Sequence, residues 1–308
     1  MAKIVVAGGA GFIGSHLCDL LIEKGEEVLC IDNFITGASK NIAPLKDNAK
    51  FSFLEQDVTK PFSIDGEIKQ IYNLASPASP VDYQEKPLET LAAGSEGVKN
   101  LLVLAKEKNA KYLFASTSEV YGNPLEHPQK ETYWGNVNSI GPRSCYDEAK
   151  RFGEALCVSY RKVHNLDVKI ARIFNTYGPR MRSNDGRVIP NFITQCLEGK
   201  PITVYGKGDQ TRSFCYVSDL VDGLYKLMNS KEHGPINLGN PKETTIFELA
   251  ELVVKLTNSS SKIEFKELPV DDPERRLPDI SLAKNRINWK SKISLEDGLI
   301  ETVFSFKK

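Results

Sequence analysis

The sequence predicts an α/β protein built as a Rossmann-type doubly wound parallel sheet with a smaller C-terminal α/β lobe. Three observations predict it. Short apolar runs alternate with helix-period segments through the first 174 residues. A glycine-rich turn, Gly8-Gly9-Ala10-Gly11-Phe12-Ile13-Gly14, joins the first run to the first helical segment. The second apolar run ends on an acid, Asp32. Strand–helix alternation at this spacing gives parallel strands with helices on both faces.

The elements follow in order. Lys3–Ala7 is a short apolar run stopped by glycine, hence the first strand. Phe12–Lys24 carries Ile13, Leu17, Leu20 and Leu21 on one helical face. Glu27–Asp32, Phe51–Gln56 and Gln70–Leu74 are the next three strands. Pro87–Asn109 reads as one long helix, with Leu91, Val98, Leu101, Leu102 and Ala105 apolar. Lys111–Ser116 is a fifth strand, Tyr146–Asn165 a helix and Val168–Ile173 a sixth strand. Elements are shorter beyond this point. Ile202–Tyr205, Ser213–Val217 and Lys262–Leu268 read as strands. Asp219–Asn229, Thr245–Asn258 and Leu295–Phe306 read as helices. Gly, Pro and charge cluster at 178–187 and 269–279, which predicts loops. The expected division is a dinucleotide domain over 1–174, to which 213–239 returns, and a second lobe from 175–212 and 240–308.

Composition bounds the function. In 308 residues, 40 Lys plus Arg balance 40 Asp plus Glu, so there is no chain-wide basic field for nucleic acid or an anionic membrane. No apolar run reaches the ~20 residues that span a bilayer. The start reads as a strand rather than a leader peptide, so the expected location is cytoplasmic. Cys18, Cys30, Cys145, Cys157, Cys196 and Cys215 form no C-x-x-C pair, and the four histidines lie far apart. Reduced thiols and no metal site are expected.

The glycines have separate tasks. Gly8 permits a tight turn, Gly11 lets backbone approach a pyrophosphate, and Gly14 lets helix and strand pack closely. The helix start at Phe12 and Ile13 offers unpaired N–H groups and partial positive charge to the phosphates. Asp32 accepts from an adenosine ribose and repels a 2′-phosphate, which favours NAD over NADP. Asn33, Phe34, Thr36 and Gly37 continue the loop beside the adenosine. Asp57-Val58 and Leu74-Ala75-Ser76 end the third and fourth strands at the edge where adenine and the nicotinamide ribose would rest. Each is also compatible with a plain strand-end turn.

Tyr146 and Lys150 are four apart and share a helical face. An ammonium beside a phenol favours phenolate, which takes a proton from a sugar hydroxyl while hydride leaves the carbon. Ser116-Thr117-Ser118-Glu119 ends the fifth strand, and Thr117 can hold the same hydroxyl.

These motifs resemble the extended short-chain dehydrogenase/reductases that act on nucleotide sugars, and within them the UDP-glucuronate decarboxylases most. The resemblance runs over nearly the whole chain. It is carried by Ala75-Ser76-Pro77 with Tyr83, Ser116 to Gly122, His127-Pro128-Gln129 and Tyr133 to Asn138. Gly141 to Glu148, Arg172 to Met181, Asp185 to Val188 and Gln210 to Phe214 complete it. It implies a UDP-glucuronate substrate oxidised at C4 by NAD+ with Tyr146 as base. Loss of CO2 from the β-keto acid, protonation at C5 and return of hydride would then give UDP-xylose. It also implies that Glu119 assists at the sugar ring and that Lys150 holds the nicotinamide ribose. Dehydratases of dTDP-glucose carry an acid where this chain has Ser118. A carboxylate there, about 4 Å from the substrate's own, would cost on the order of 4 kcal/mol at an effective dielectric near 20. A 4,6-dehydratase, a 4-epimerase and a non-catalytic dinucleotide-binding protein are the alternatives.

The resemblance further implies that Arg212 and one of the adjacent pair Arg275 and Arg276, with Arg276 preferred, grip the diphosphate. Asn175 would hold a phosphate or sugar, and Arg187 and Tyr205 would frame the uridine. It also implies a homodimer through helices 87–109 and 146–165. The chain departs from the pattern at Glu89 to Gly94, which lack the usual Lys and Asn, at Ser139 and at Ala38.

Overall fold

The structure, a computed structural model, describes residues 2–267 and 275–307. Strands β1 (Lys3–Ala7), β2 (Val28–Asp32), β3 (Phe51–Glu55), β4 (Ile68–Asn73), β5 (Lys111–Thr117) and β6 (Val168–Ile173) pair in parallel with one further strand, Ile236–Leu238. The spatial order is Ile236–Leu238, β6, β5, β4, β1, β2, β3. The chain winds outward from β1 to β3, then crosses back to lay β4 on the other side of β1. That reversal opens a crevice at the carboxyl ends of β1 and β4, where open sheets of this kind bind ligands.

The continuous apolar runs of β1 and β2 are explained by burial on both faces. On one face, Leu17 and Leu21 of α1 (Phe12–Glu23) pack with Leu220, Leu224 and Trp289. On the other, Leu101, Leu102 and Ala105 pack with Cys157, Tyr112 and Phe114. Residues 213–239 contribute the Val217–Met228 helix and the Ile236–Leu238 strand to this layer. A separate cluster joins Phe192, Leu249, Val253 and Leu299 of the helices Val188–Leu197, Ile246–Thr257 and Leu295–Phe306.

Several elements differ from the sequence reading. The expected single helix over 87–109 is Pro87–Ala92 and Val98–Lys108 joined by a widened π turn at Ala93–Gly97. Gly94 lies in that turn against the Ser144–His164 helix, where a Cβ would stand 2.5 Å from the Ala149 Cβ. The expected strand Ser213–Val217 is divided. Thr211–Ser213 pairs with Glu243–Thr245, Cys215–Tyr216 pairs with Thr176–Tyr177, and Val217 opens a helix. Within the expected loop 269–279, Arg275–Arg276 forms a strand beside Thr211–Arg212. Leu268, the end of the expected strand from Lys262, and the loop residues 269–274 lie outside the described residues. The helices Pro80–Glu85 and Ser281–Ile287 are too short to leave a periodic signal.

Among the described residues no helix is long and apolar enough to cross a membrane, no cluster of His, Cys, Asp and Glu could hold a metal, and all six cysteines are free.

Candidate active site

A cleft of about 750 Å³ runs from the glycine turn, past the end of β5, to the C-terminal lobe. At its first end, Gly8 has φ +78, a left-handed conformation costly for any residue with a Cβ. A Cβ on Gly14 would collide with the Gly8 carbonyl oxygen. The turn therefore packs backbone on backbone, and α1 begins with no side chain capping its first N–H groups. Those donors, with Gly11, Phe12 and Ile13 lining the cleft, suit a pyrophosphate.

Asp32 is buried at the end of β2. It accepts from the N–H of Ala10 at 3.0 Å and of Phe34 at 2.8 Å, and burial raises its pKa. Gly37 leaves room for it, since a Cβ there would lie 2.8 Å from its Oδ1. Phe34, at φ +58, packs its ring 5.1 Å from Phe53. Thr36, Leu74 and Ser76 line the cleft, whereas Asp32, Asn33, Phe34, Gly37, Asp57, Val58 and Ala75 are not among its lining residues. Asp57 is occupied in a turn, accepting the N–H and hydroxyl of Thr59 at 2.9 and 2.8 Å. The glycine turn, the uncapped helix and the strand-end acid together fit a dinucleotide.

The Ser144–His164 helix carries Tyr146 and Lys150 into the middle of the cleft. The Tyr146 ring stacks on Tyr83, centroids 5.0 Å apart and planes 8° apart. Burial pushes the phenol up to about 12, while a hydrogen bond with Thr117 and the charge of Arg187 pull it down. Lys150 stands beside the phenol ring, as its spacing from Tyr146 implies. Its Nζ donates to the Ala115 carbonyl at 2.9 Å and lies over the rings of Phe114 and Tyr146, 5.1 and 5.6 Å from their centroids. Desolvation lowers it to about 8. The shared helical face thus brings the ammonium over the ring, and the β5 carbonyl takes one of its three N–H donors.

Beside Tyr146, the end of β5 turns through Ser118–Tyr121, with Thr117 Oγ1 accepting the Glu119 N–H at 3.2 Å. Glu119 is a cleft carboxylate held between two guanidinium groups. Arg276 Nη1 meets its Oε1 at 3.0 Å, and Arg143 Nη2 pairs with its Oε2. Although burial opposes ionisation, Arg276 and Arg143 hold the carboxyl at about 2. Arg276 also donates to Ser118 Oγ at 3.0 Å and to the Gly122 carbonyl at 2.8 Å. Its two terminal nitrogens are engaged at the Ser118–Glu119 turn, while its Nε has no partner among the described residues. The side chain of Arg275 is exposed, as the alternation of a strand requires.

Asn175, Arg187, Tyr205 and Arg212 line the cleft with Tyr83. Arg187 is held bidentate by Asp185, at 2.5 and 2.7 Å, and its charge acts on the Tyr146 phenol. Tyr205 stands on the Ile202–Tyr205 strand next to Lys266 of Ile263–Lys266. Sequence reasoning missed Arg143, Arg182 with its partner Asp82, and Asp147. Arg143 lies three residues before Tyr146, a spacing that could have drawn attention to it. Arg182 pairs with Asp82, and no local signal links residues a hundred positions apart. Asp147 is buried beside Tyr146 with no partner for Oδ1 among the described residues, and burial with the Glu119 charge raises it to about 7.

Comparison with known proteins follows this geometry. Residues 4–239 match the family described as NAD dependent epimerase/dehydratase. UDP-glucuronic acid decarboxylase 1 of Arabidopsis thaliana is 55% identical over 305 residues, covering 99% of this chain and 70% of that protein. UDP-glucuronic acid decarboxylase 1 of Xenopus tropicalis is 51% identical over 306 residues, covering 99% and 72%. Among solved structures, the UDP-glucuronic acid 4-epimerase of Bacillus cereus, in complex with UDP-glucuronic acid and NAD, superposes with a TM-score of 0.88. It shares 30% identity, with 99% of each chain covered.

Proposed function

From the premise that this chain belongs to the NAD dependent epimerase/dehydratase family, we propose that it decarboxylates UDP-glucuronate to UDP-xylose and CO2. The carrying observation is the identity of more than half over nearly the full chain with a protein of that activity. NAD, which Gly8, Gly11, Gly14 and Asp32 would hold, would supply the acceptor and donor of the C4 hydride.

In this reading Tyr146 removes the C4 hydroxyl proton, and Thr117 orients that exchange through its hydrogen bond to the phenol. The resulting ketone stands β to the C6 carboxylate, so the electrons released with CO2 delocalise into it, and C5 then gains a proton. Glu119, held ionised by Arg143 and Arg276, serves as an acceptor at the ring. Ser118 spares the substrate carboxylate a repulsive neighbour. Lys150, bonded to Ala115, stands under Tyr146 where it also meets the nicotinamide ribose. Asp32 holds the adenosine ribose at the other end. Arg187, Arg212 and Asn175 bind the diphosphate and sugar, and Tyr205 the uridine. Residues 1–174 with 213–239 form the dinucleotide unit, onto which Ile280, Ala283, Ile287 and Trp289 also pack, and the remainder of 175–212 with 240–308 forms the substrate lobe.

The proposal extends to a homodimer. Leu88, Phe152 and Val163 are 76%, 51% and 72% exposed on the Pro87–Ala92 and Ser144–His164 helices, an apolar set that pairing of these helices would cover. Free thiols suit a reducing compartment, so we place the protein in the cytoplasm.

The test is mass spectrometry of products after incubation with NAD+ and, separately, UDP-glucuronate, UDP-glucose and dTDP-glucose. A UDP-pentose from UDP-glucuronate alone is expected. Loss of water from a glucose nucleotide, with UDP-glucuronate untouched, would move the assignment to a dehydratase.

A further inference from the structure

The segment 179–187 crosses from the C-terminal lobe back over the dinucleotide end of the cleft. Four contacts tie it to the main sheet's side. The Pro179 carbonyl meets His16 Nε2 at 2.9 Å, one turn into α1. Arg180 Nη2 pairs with Asp19 Oδ2 at 2.7 Å, one turn further along the same helix. Arg182 pairs with Asp82, which is also bonded by Ser79 Oγ at 2.7 Å at the start of Pro80–Glu85. Gly186 packs against Val81 so closely that a Cβ would stand 2.5 Å from its Cγ2.

These anchors flank the phosphate-binding start of α1. Phe12, the first residue of that helix, packs against the apolar clusters of both the sheet and the lobe. Arg180, Met181 and Arg182 line the same cleft as Gly11 and Gly14. Burial lowers His16 to about 4, so its ring is neutral near pH 7 and donates from Nε2 to the Pro179 carbonyl.

We propose that the 179–187 segment is a clasp over the bound dinucleotide, and that Asp19 and Asp82, acting through Arg180 and Arg182, set the rate at which NAD leaves. Neither carboxylate is assigned to the chemistry, so both are positioning residues. A cofactor reduced and reoxidised within one catalytic cycle has no need to exchange, and a clasp closed by ion pairs keeps it in place between turnovers. The four side chains are 9% to 32% exposed, within reach of dissolved ions.

The experiment loads full-length protein with NADH, chases it with excess NAD+, and follows loss of bound-NADH fluorescence by stopped flow. Wild-type release should be slow and should quicken as salt rises from about 0.05 to about 0.5 M, because screening weakens the pairs. Asp19→Asn with Asp82→Asn should release about tenfold faster at low salt and respond little to added salt. Each single substitution should give part of the change. Wild-type release from the double variant would overturn the proposal. So would faster release that keeps the wild-type salt response, since a salt response that survives removal of both ion pairs arises elsewhere.

Discussion

Replacing Glu119 by glutamine removes one negative charge from between two guanidinium groups and leaves the shape of the side chain. Arg276 and Arg143 hold this carboxyl at about 2 against an ordinary 4.5. That preference for the ionised form corresponds to about 3 kcal/mol. The side chain is 16% exposed, so solvent screens it only partly. The folded pKa is depressed, so the contribution is fully present above about pH 4.5 and is lost as pH falls toward 2. Glu119→Gln should therefore lower unfolding free energy by about 3 kcal/mol near pH 7, the usual consequence of leaving buried guanidinium groups uncompensated. The gap between wild type and variant should narrow steadily as pH falls from about 4.5 to 3 and would close only near pH 2. Urea titration followed by tryptophan fluorescence, at pH values from 7 down to 3, measures both. A difference under about 1 kcal/mol at pH 7, or one that is constant with pH, would refute the reasoning.

Lys150 titrates at about 8 through burial alone, so its ammonium is lost as pH rises past that value. Turnover should fall on that limb, and Lys150→Arg should move the limb to higher pH; an unmoved limb in a pH–kcat series would count against Lys150 as its origin. Gly14→Ala forces a Cβ into the Gly8 carbonyl, which displaces the phosphate-binding turn. The loss of one charge-assisted hydrogen bond weakens NAD binding by about 10- to 100-fold in calorimetry. Leu88→Glu with Phe152→Glu places charge on the exposed apolar faces of two helices, and light scattering should show a dimer for the parent chain and a monomer for the variant; a dimer that persists in the variant would locate the interface elsewhere.

Local chemistry was legible in the chain. The glycine turn, the acid after β2 and the Tyr146–Lys150 spacing each need only a few neighbouring residues, because turns and helical faces are set by short-range geometry. The strand alternation likewise fixed the parallel class, and the long motif runs pointed to the family. Other features depend on groups far apart in sequence. The ammonium of Lys150 settles on the Ala115 carbonyl, 35 residues away, so its direction follows from packing of helix on sheet. Arg276 reaches Glu119 across 157 residues, a pairing that no local pattern announces. Arg180 and Arg182 find Asp19 and Asp82 only once the lobe lies over the cleft. The sequence by itself determined which groups would be present and the local turns that expose them. The tertiary structure alone decided which charges meet, because ion pairs and burial depend on distance and dielectric, and neither is defined until remote segments pack together.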